Sequence, residues 1–70
     1  MAEIRAEMVA NVWKVVAEEG HPVQAGDTLV ILESMKMEIP VLAETAGTLS
    51  KLHVAEGDVI QEGDLIAEIG

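Results

Sequence analysis

Residues recur at an offset of 37 positions: Lys14, Glu19, Gly20, Gln24, Gly26 and Asp27 return as Lys51, Glu56, Gly57, Gln61, Gly63 and Asp64. Apolar positions recur with them, pairing Val12 with Leu49, Val15 with Leu52, Ala17 with Val54, Val23 with Ile60, Leu29 with Ile66 and Leu32 with Ile69. Seventy residues make one domain, 1–70. The chain is therefore two copies of a unit too small to bury its own apolar face, packed about a pseudo-twofold axis into a shared core.

Each copy reads as strand, turn, short strand, turn, strand. Val15 and Ala17, like Leu52 and Val54, alternate with period two, but the steps from 12 to 15 and from 49 to 52 break parity at the same place in both copies, which predicts a β-bulge. Glu19-Gly20 and Glu56-Gly57 are turn signals, followed six residues later by Ala25-Gly26-Asp27 and Glu62-Gly63-Asp64. Residues 2–8 are expected to add a strand, mirrored by 39–45. A helix placing Leu29, Leu32, Met35, Ile39 and Leu42 on one face is the rival reading, and Pro40 would cut it. The expected fold is all-β, a flattened sandwich or barrel of about eight short strands.

One stretch lies outside the repeat. Shifting Lys36 by 37 in either direction falls off the chain, so its symmetry mate is the junction of the termini, which should lie together at the far end. Glu33-Ser34-Met35-Lys36-Met37-Glu38 joins Thr28–Leu32 to Ile39–Leu42 in a tight hairpin. Such turns favour Gly, Asn or Asp because their central residues need positive φ, and this stretch has none. Each non-Gly residue held there costs about 1–3 kcal/mol. Residues so poor at turning point to a site that another molecule reads.

Composition narrows the classes. Trp13 is the one aromatic residue, so the core is aliphatic and nothing stacks on bases. Without Cys there are no disulfides, thiolate metal sites or thiol nucleophiles, and His21 and His53 alone make a poor metal set. Thirteen acidic residues against four basic ones give a net charge of −9, which repels nucleic acid and anionic membranes and favours a basic partner surface. The longest aliphatic run, Leu29–Leu32, is too short to span a bilayer, and the N-terminus lacks the apolar core of a signal peptide. A cytoplasmic monomer is expected. Trp13, opposite Ser50 in the repeat, is expected to be partly exposed, and His21 and His53 are assigned to the surface. Leu29, Leu32, Ile39 and Leu42 are expected to fill the core beneath the tip.

From about Met8 to Ile69 the chain resembles the biotinyl/lipoyl attachment domains, most of all the small stand-alone attachment proteins. The likeness rests on Glu33-Ser34-Met35-Lys36-Met37-Glu38, on Ala46-Gly47-Thr48-Leu49 and on the twin Glu-Gly and Gly-Asp turns. It implies a barrel-sandwich hybrid of two four-stranded sheets, with biotin in amide linkage to Lys36 and Met35 and Met37 framing it for recognition. Biotin protein ligase, biotin carboxylase and carboxyltransferase components are the implied partners, and Glu33, Ser34 and Glu38 are candidates for ligase docking. The chain departs from the family at Ser34, where most biotinyl domains have Ala, and at Val9-Ala10, where many have Pro-Gly. It also has no room for the protruding thumb of some bacterial carriers.

Rival functions are weighed on the same residues. A Schiff-base lysine needs burial or a neighbouring cation, and a tip flanked by Glu33 and Glu38 offers neither. The domain then reads as a substrate of its ligase and a carrier, not a catalyst. Lipoate on Lys36, added by a lipoyl ligase for an oxoacid dehydrogenase, is the alternative. Lipoyl domains typically have Asp before and Ala after the lysine, where this chain has Met35 and Met37, although Glu33 is shared. An unmodified protein-binding module would need no lysine at the tip.

Overall fold

The computed structural model describes residues 2–70. Its eight strands are β1 (Ala2–Arg5), β2 (Ala10–Val15), β3 (Pro22–Val23), β4 (Thr28–Ser34), β5 (Met37–Leu42), β6 (Gly47–Leu52), β7 (Val59–Ile60) and β8 (Leu65–Ile69). They form two four-stranded antiparallel sheets, ordered β1-β8-β6-β3 and β5-β4-β2-β7. A shift of 37 turns one order into the other, residue for residue: Leu32↔Ile39 becomes Ile69↔Ala2, Val12↔Leu32 becomes Leu49↔Ile69, and Ala10↔Ile60 becomes Gly47↔Val23. Each sheet takes two strands from each copy, so neither copy folds without the other.

Both faces of the sandwich close on one aliphatic core in which Val12, Leu29 and Leu32 meet their mates Leu49, Ile66 and Ile69. No polar side chain is buried among the described residues. The register slips between Val12 and Lys14 and between Leu49 and Lys51, the bulges that the parity break predicts. A second pair of slips, between Thr28 and Val30 and between Ile4 and Arg5, was not legible in the sequence. It turns Leu29 and Val30 inward together, where strict alternation would have exposed one of them. Leu42 is the casualty of that slip: expected in the core, it pairs with Thr28 and is 45% exposed, while Val41 packs against the core in its place.

Glycine geometry and side-chain bonds account for two of the repeat's polar pairs, Asp27/Asp64 and Glu19/Glu56. Gly20, Gly26, Gly57 and Gly63 hold φ between 90° and 93°, a region closed to most L residues. Asp27 and Asp64 then brace their turns by accepting hydrogen bonds from the amides of Gln24 and Gln61 at 2.8 and 2.9 Å. Glu19 Oε2 accepts from the Leu52 amide at 2.9 Å and Glu56 Oε2 from the Val15 amide at 3.3 Å, so each copy's turn caps the bulged strand of the other.

Gly47 is required by space alone. A Cβ there would stand 2.8 Å from Ile69 Cγ2 and 2.9 Å from the Gly70 carbonyl oxygen. Its mate Ala10 is buried, and Leu32, the mate of Ile69, has no methyl branching from its Cβ. Gly47→Ala is expected to cost about 1–3 kcal/mol through overpacking, and adding Ile69→Leu to recover part of that loss. Thermal melts of the single and double variants check this; a Gly47→Ala melt equal to wild type contradicts it.

A chain of contacts fixes the long axis. Gly70 exchanges hydrogen bonds with Thr48 at 2.9 Å, Gly47 pairs with Val23, and four residues later the Asp27 carbonyl accepts from Ala43 at the base of the β4–β5 hairpin. The tip of that hairpin lies seven strand residues further on, roughly 20 Å away. Ala2 pairs with Ile69, so both ends of the described chain gather opposite the tip.

Candidate functional site

The β4–β5 hairpin carries the site. Leu32, buried, pairs with half-buried Ile39 and anchors the hairpin to the core; Glu33 then pairs with Glu38 and Ser34 with Met37, leaving Met35 and Lys36 as the turn. Their φ values are 52° and 66°, and no other non-Gly residue among those described is positive. Two positive values are what a type I′ turn demands, and here they fall on residues that resist them. The sheet, not the turn's own preference, forces this geometry.

Exposure distinguishes this turn from an ordinary one. Met35 is 92% exposed and Met37 62%, although methionine is a residue that usually fills cores. Lys36 is exposed between them, and no ion pair among the described residues involves it. Lys14 and Lys51 are exposed as well, but they occupy mate positions within β2 and β6. Lys36 alone among the lysines stands clear of both sheets. Glu33 and Ser34 are half-buried and Glu38 exposed, so all six residues singled out in the sequence are brought together in one hairpin end.

The surroundings offer Lys36 no catalytic apparatus. A shallow groove of about 260 Å³ runs beside β5, between Ile4–Met8 and Ile39–Leu42, and Lys36 is not in its lining. Among the described residues no three His, Cys, Asp or Glu side chains converge as a metal site. Both histidines lie elsewhere: His21 Nε2 is 3.3 Å from Glu18, and His53 Nε2 is 2.8 Å from Glu68 on the other sheet. The 15 residues that separate His53 from Glu68 hide this contact from the sequence. Of the two Gly turns that could lie near the tip, only one does: Asn11 pairs with Glu33, and through β2 and β7 the Gly57-Asp58 turn comes to the tip end, whereas its mate Gly20-His21 lies beside Leu49 at the end of the termini.

Comparison with known proteins places this geometry. The sequence family described as "Biotin-requiring enzyme", the biotin/lipoyl attachment domains, matches residues 2–69. The chain is 64% identical over 70 residues to the "Biotinylated protein TB7.3 homolog" of Mycobacterium leprae, covering 99% of both. It is 39% identical to the "Biotin/lipoyl attachment protein" of Bacillus subtilis over 66 residues, which is 94% of this chain and 90% of the relative. The crystal structure of Kluyveromyces lactis urea carboxylase contains the same fold, with a TM-score of 0.92 and 38% identity; 99% of this chain aligns with 6% of that enzyme. The family match over residues 2–69, with relatives 64% and 39% identical over nearly the whole chain, agrees with an eight-stranded sandwich that holds one lysine clear of its sheets: the chain belongs to the biotin/lipoyl attachment domains.

Proposed function

We propose that Lys36 carries biotin in amide linkage to Nζ, and that the domain serves as the mobile carboxyl carrier of a biotin-dependent carboxylase. The observation that carries this reading is the strained, exposed Met35-Lys36 turn, the one place among the described residues where a positive φ falls outside glycine. When bound, biotin supplies the carboxyl-carrying chemistry. The chain's residues do the rest. The rigid β4–β5 hairpin presents Nζ beyond both sheets, and the absence of an ion pair at Lys36 among the described residues leaves the amine free to be acylated. No described residue forms an ion pair with Lys36, and the biotin protein ligase takes the ammonium proton before Nζ displaces the leaving group of an activated carboxyl. Tethering then converts encounters at successive carboxylase sites into intramolecular ones at high effective concentration. A cytoplasmic setting, with biotin carboxylase and carboxyltransferase components as partners, fits the reading. Co-expression with a biotin ligase followed by streptavidin capture tests it: nearly every chain is expected to be retained.

Lipoate on the same lysine is the second reading, favoured by the resemblance to a protein whose name includes both groups. We expect the two methionines to decide between them. Met35→Asp with Met37→Ala should shift modification from a biotin ligase toward a lipoyl ligase by about tenfold or more, since 1.4 kcal/mol of recognition suffices for a factor of ten. Side-by-side rates with both ligases check this, and unchanged rates for both would remove the methionines as discriminators.

A further inference from the structure

The repeat supplies an internal control for the surface. Because the two sheets share strand order and register, the fold does not explain any difference between their outward side chains. Eight large apolar side chains stand exposed among the described residues, and every one lies in the tip-bearing sheet or within two residues of its strands. Trp13 and Leu42 are among them, while their mates on the other sheet are Ser50 and Arg5; Val59 alone has an apolar, exposed mate within a strand, Pro22. Single exposed apolar residues need no explanation, but a set confined to one of two equivalent faces does.

Charge separates the faces in the same way. Glu33 lies directly opposite Glu38, a destabilising arrangement. The other sheet has the same arrangement at Glu3 and Glu68, and there each carboxylate has a cationic or histidine partner: Arg5 at 2.9 Å from Glu3 and His53 at 2.8 Å from Glu68. No ion pair among the described residues reaches Glu33 or Glu38. The tip-bearing sheet thus carries exposed apolar side chains beside exposed Asn11 and Lys14, and ends in an anionic pair next to Lys36 that no ion pair among the described residues compensates.

We propose that the outer face of the β5-β4-β2-β7 sheet is the docking surface for the enzyme that acylates Lys36. That enzyme would present an apolar platform with Lys or Arg set against Glu33 and Glu38. The inference rests on the reading of Lys36 as the attachment site. It singles out the acylating enzyme because a bare lysine amine reaches only the length of its four-carbon stem. An active site acting on that amine must press onto the tip and the sheet behind it, whereas later enzymes meet a longer arm and can stand off. A second copy of the chain is disfavoured, because an isologous contact would bring Glu33 and Glu38 toward their own copies in a chain of net charge −9.

The test is the steady-state kinetics of biotin incorporation by a purified biotin protein ligase, using the full chain and face variants built from the mate residues. Trp13→Ser is expected to raise KM for the chain about tenfold, with kcat within about twofold and one biotin per chain at completion. Glu33→Gln with Glu38→Gln should raise KM at low salt and flatten its salt dependence. Ser50→Ala with Pro22→Ser, on the other face, should match wild type. A KM within about twofold of wild type for both face variants overturns the proposal. Hydrogen exchange of the wild-type chain covers the case of a variant that fails to fold: ligase should protect β2 and β5 above β1 and β8, and equal protection overturns the proposal, as does protection that appears on concentrating the chain alone. Lys36→Arg separates the two levels. Biotin on that variant would sink the attachment site itself, whereas none on it, together with wild-type kinetics for the face variants, sinks only the docking surface.

Discussion

Lys36→Arg is expected to abolish biotin attachment while leaving the melting temperature close to that of wild type. Arginine keeps the charge and occupies the same exposed turn, but its delocalised guanidinium is a very poor nucleophile. The change touches no core contact, and surface substitutions of this kind usually fall within about 0.5 kcal/mol. A companion variant uncouples strain from function. Met35→Asn with Lys36→Gly installs residues that tolerate the observed φ values of 52° and 66°, so it should raise stability by about 1–2 kcal/mol while also losing attachment. A melt showing no gain would mean that the turn is not strained and that the chain sacrifices no stability to display Lys36. Retained biotin on either variant would move the site to another lysine.

Leu49→Ala is expected to be the most damaging single truncation outside the tip. Leu49 is fully buried, and it pairs with Ile69 where β6 meets β8. Removing it costs about 2–5 kcal/mol, against a total of roughly 4–10 kcal/mol for a domain this small. With about 4–8 °C lost per kcal/mol, the melt should fall by tens of degrees, enough to leave a substantial unfolded fraction at 37 °C. Its mate Val12 occupies the equivalent place with one carbon fewer, so Val12→Ala should cost less by about 0.8 kcal/mol or more. Paired denaturant titrations check both, and equal losses would mean that the copies do not share the core in equivalent ways.

Much of the fold was legible because the repeat reads each position twice. Leu29 and Ile66 would each be an unremarkable aliphatic residue alone; as a pair at a fixed offset they locate the core, and the paired parity breaks locate the bulges. The glycines of the four tight turns were legible for the same reason. The slip at Leu29 was not, because Thr28–Leu32 is apolar almost throughout and has no alternation to break, and so Leu42 was misplaced. Neither was the contact of His53 with Glu68, which depends on which strands become neighbours. The hairpin and its turn at Met35-Lys36 were legible, since Met and Lys at a turn contradict local preference. The apolar outer face was not, although its signal was present: Trp13 opposite Ser50 and Leu42 opposite Arg5 are places where the copies agree in backbone and disagree in side chain.

The most direct test of the account is the location of the modification in the wild-type chain. After co-expression with a biotin ligase, intact mass followed by peptide fragmentation should find one biotin per chain, all of it on the peptide containing Met35-Lys36-Met37 and bonded to Lys36. Biotin on Lys14 or Lys51, or a folded chain that stays unmodified beside an active ligase, would contradict it.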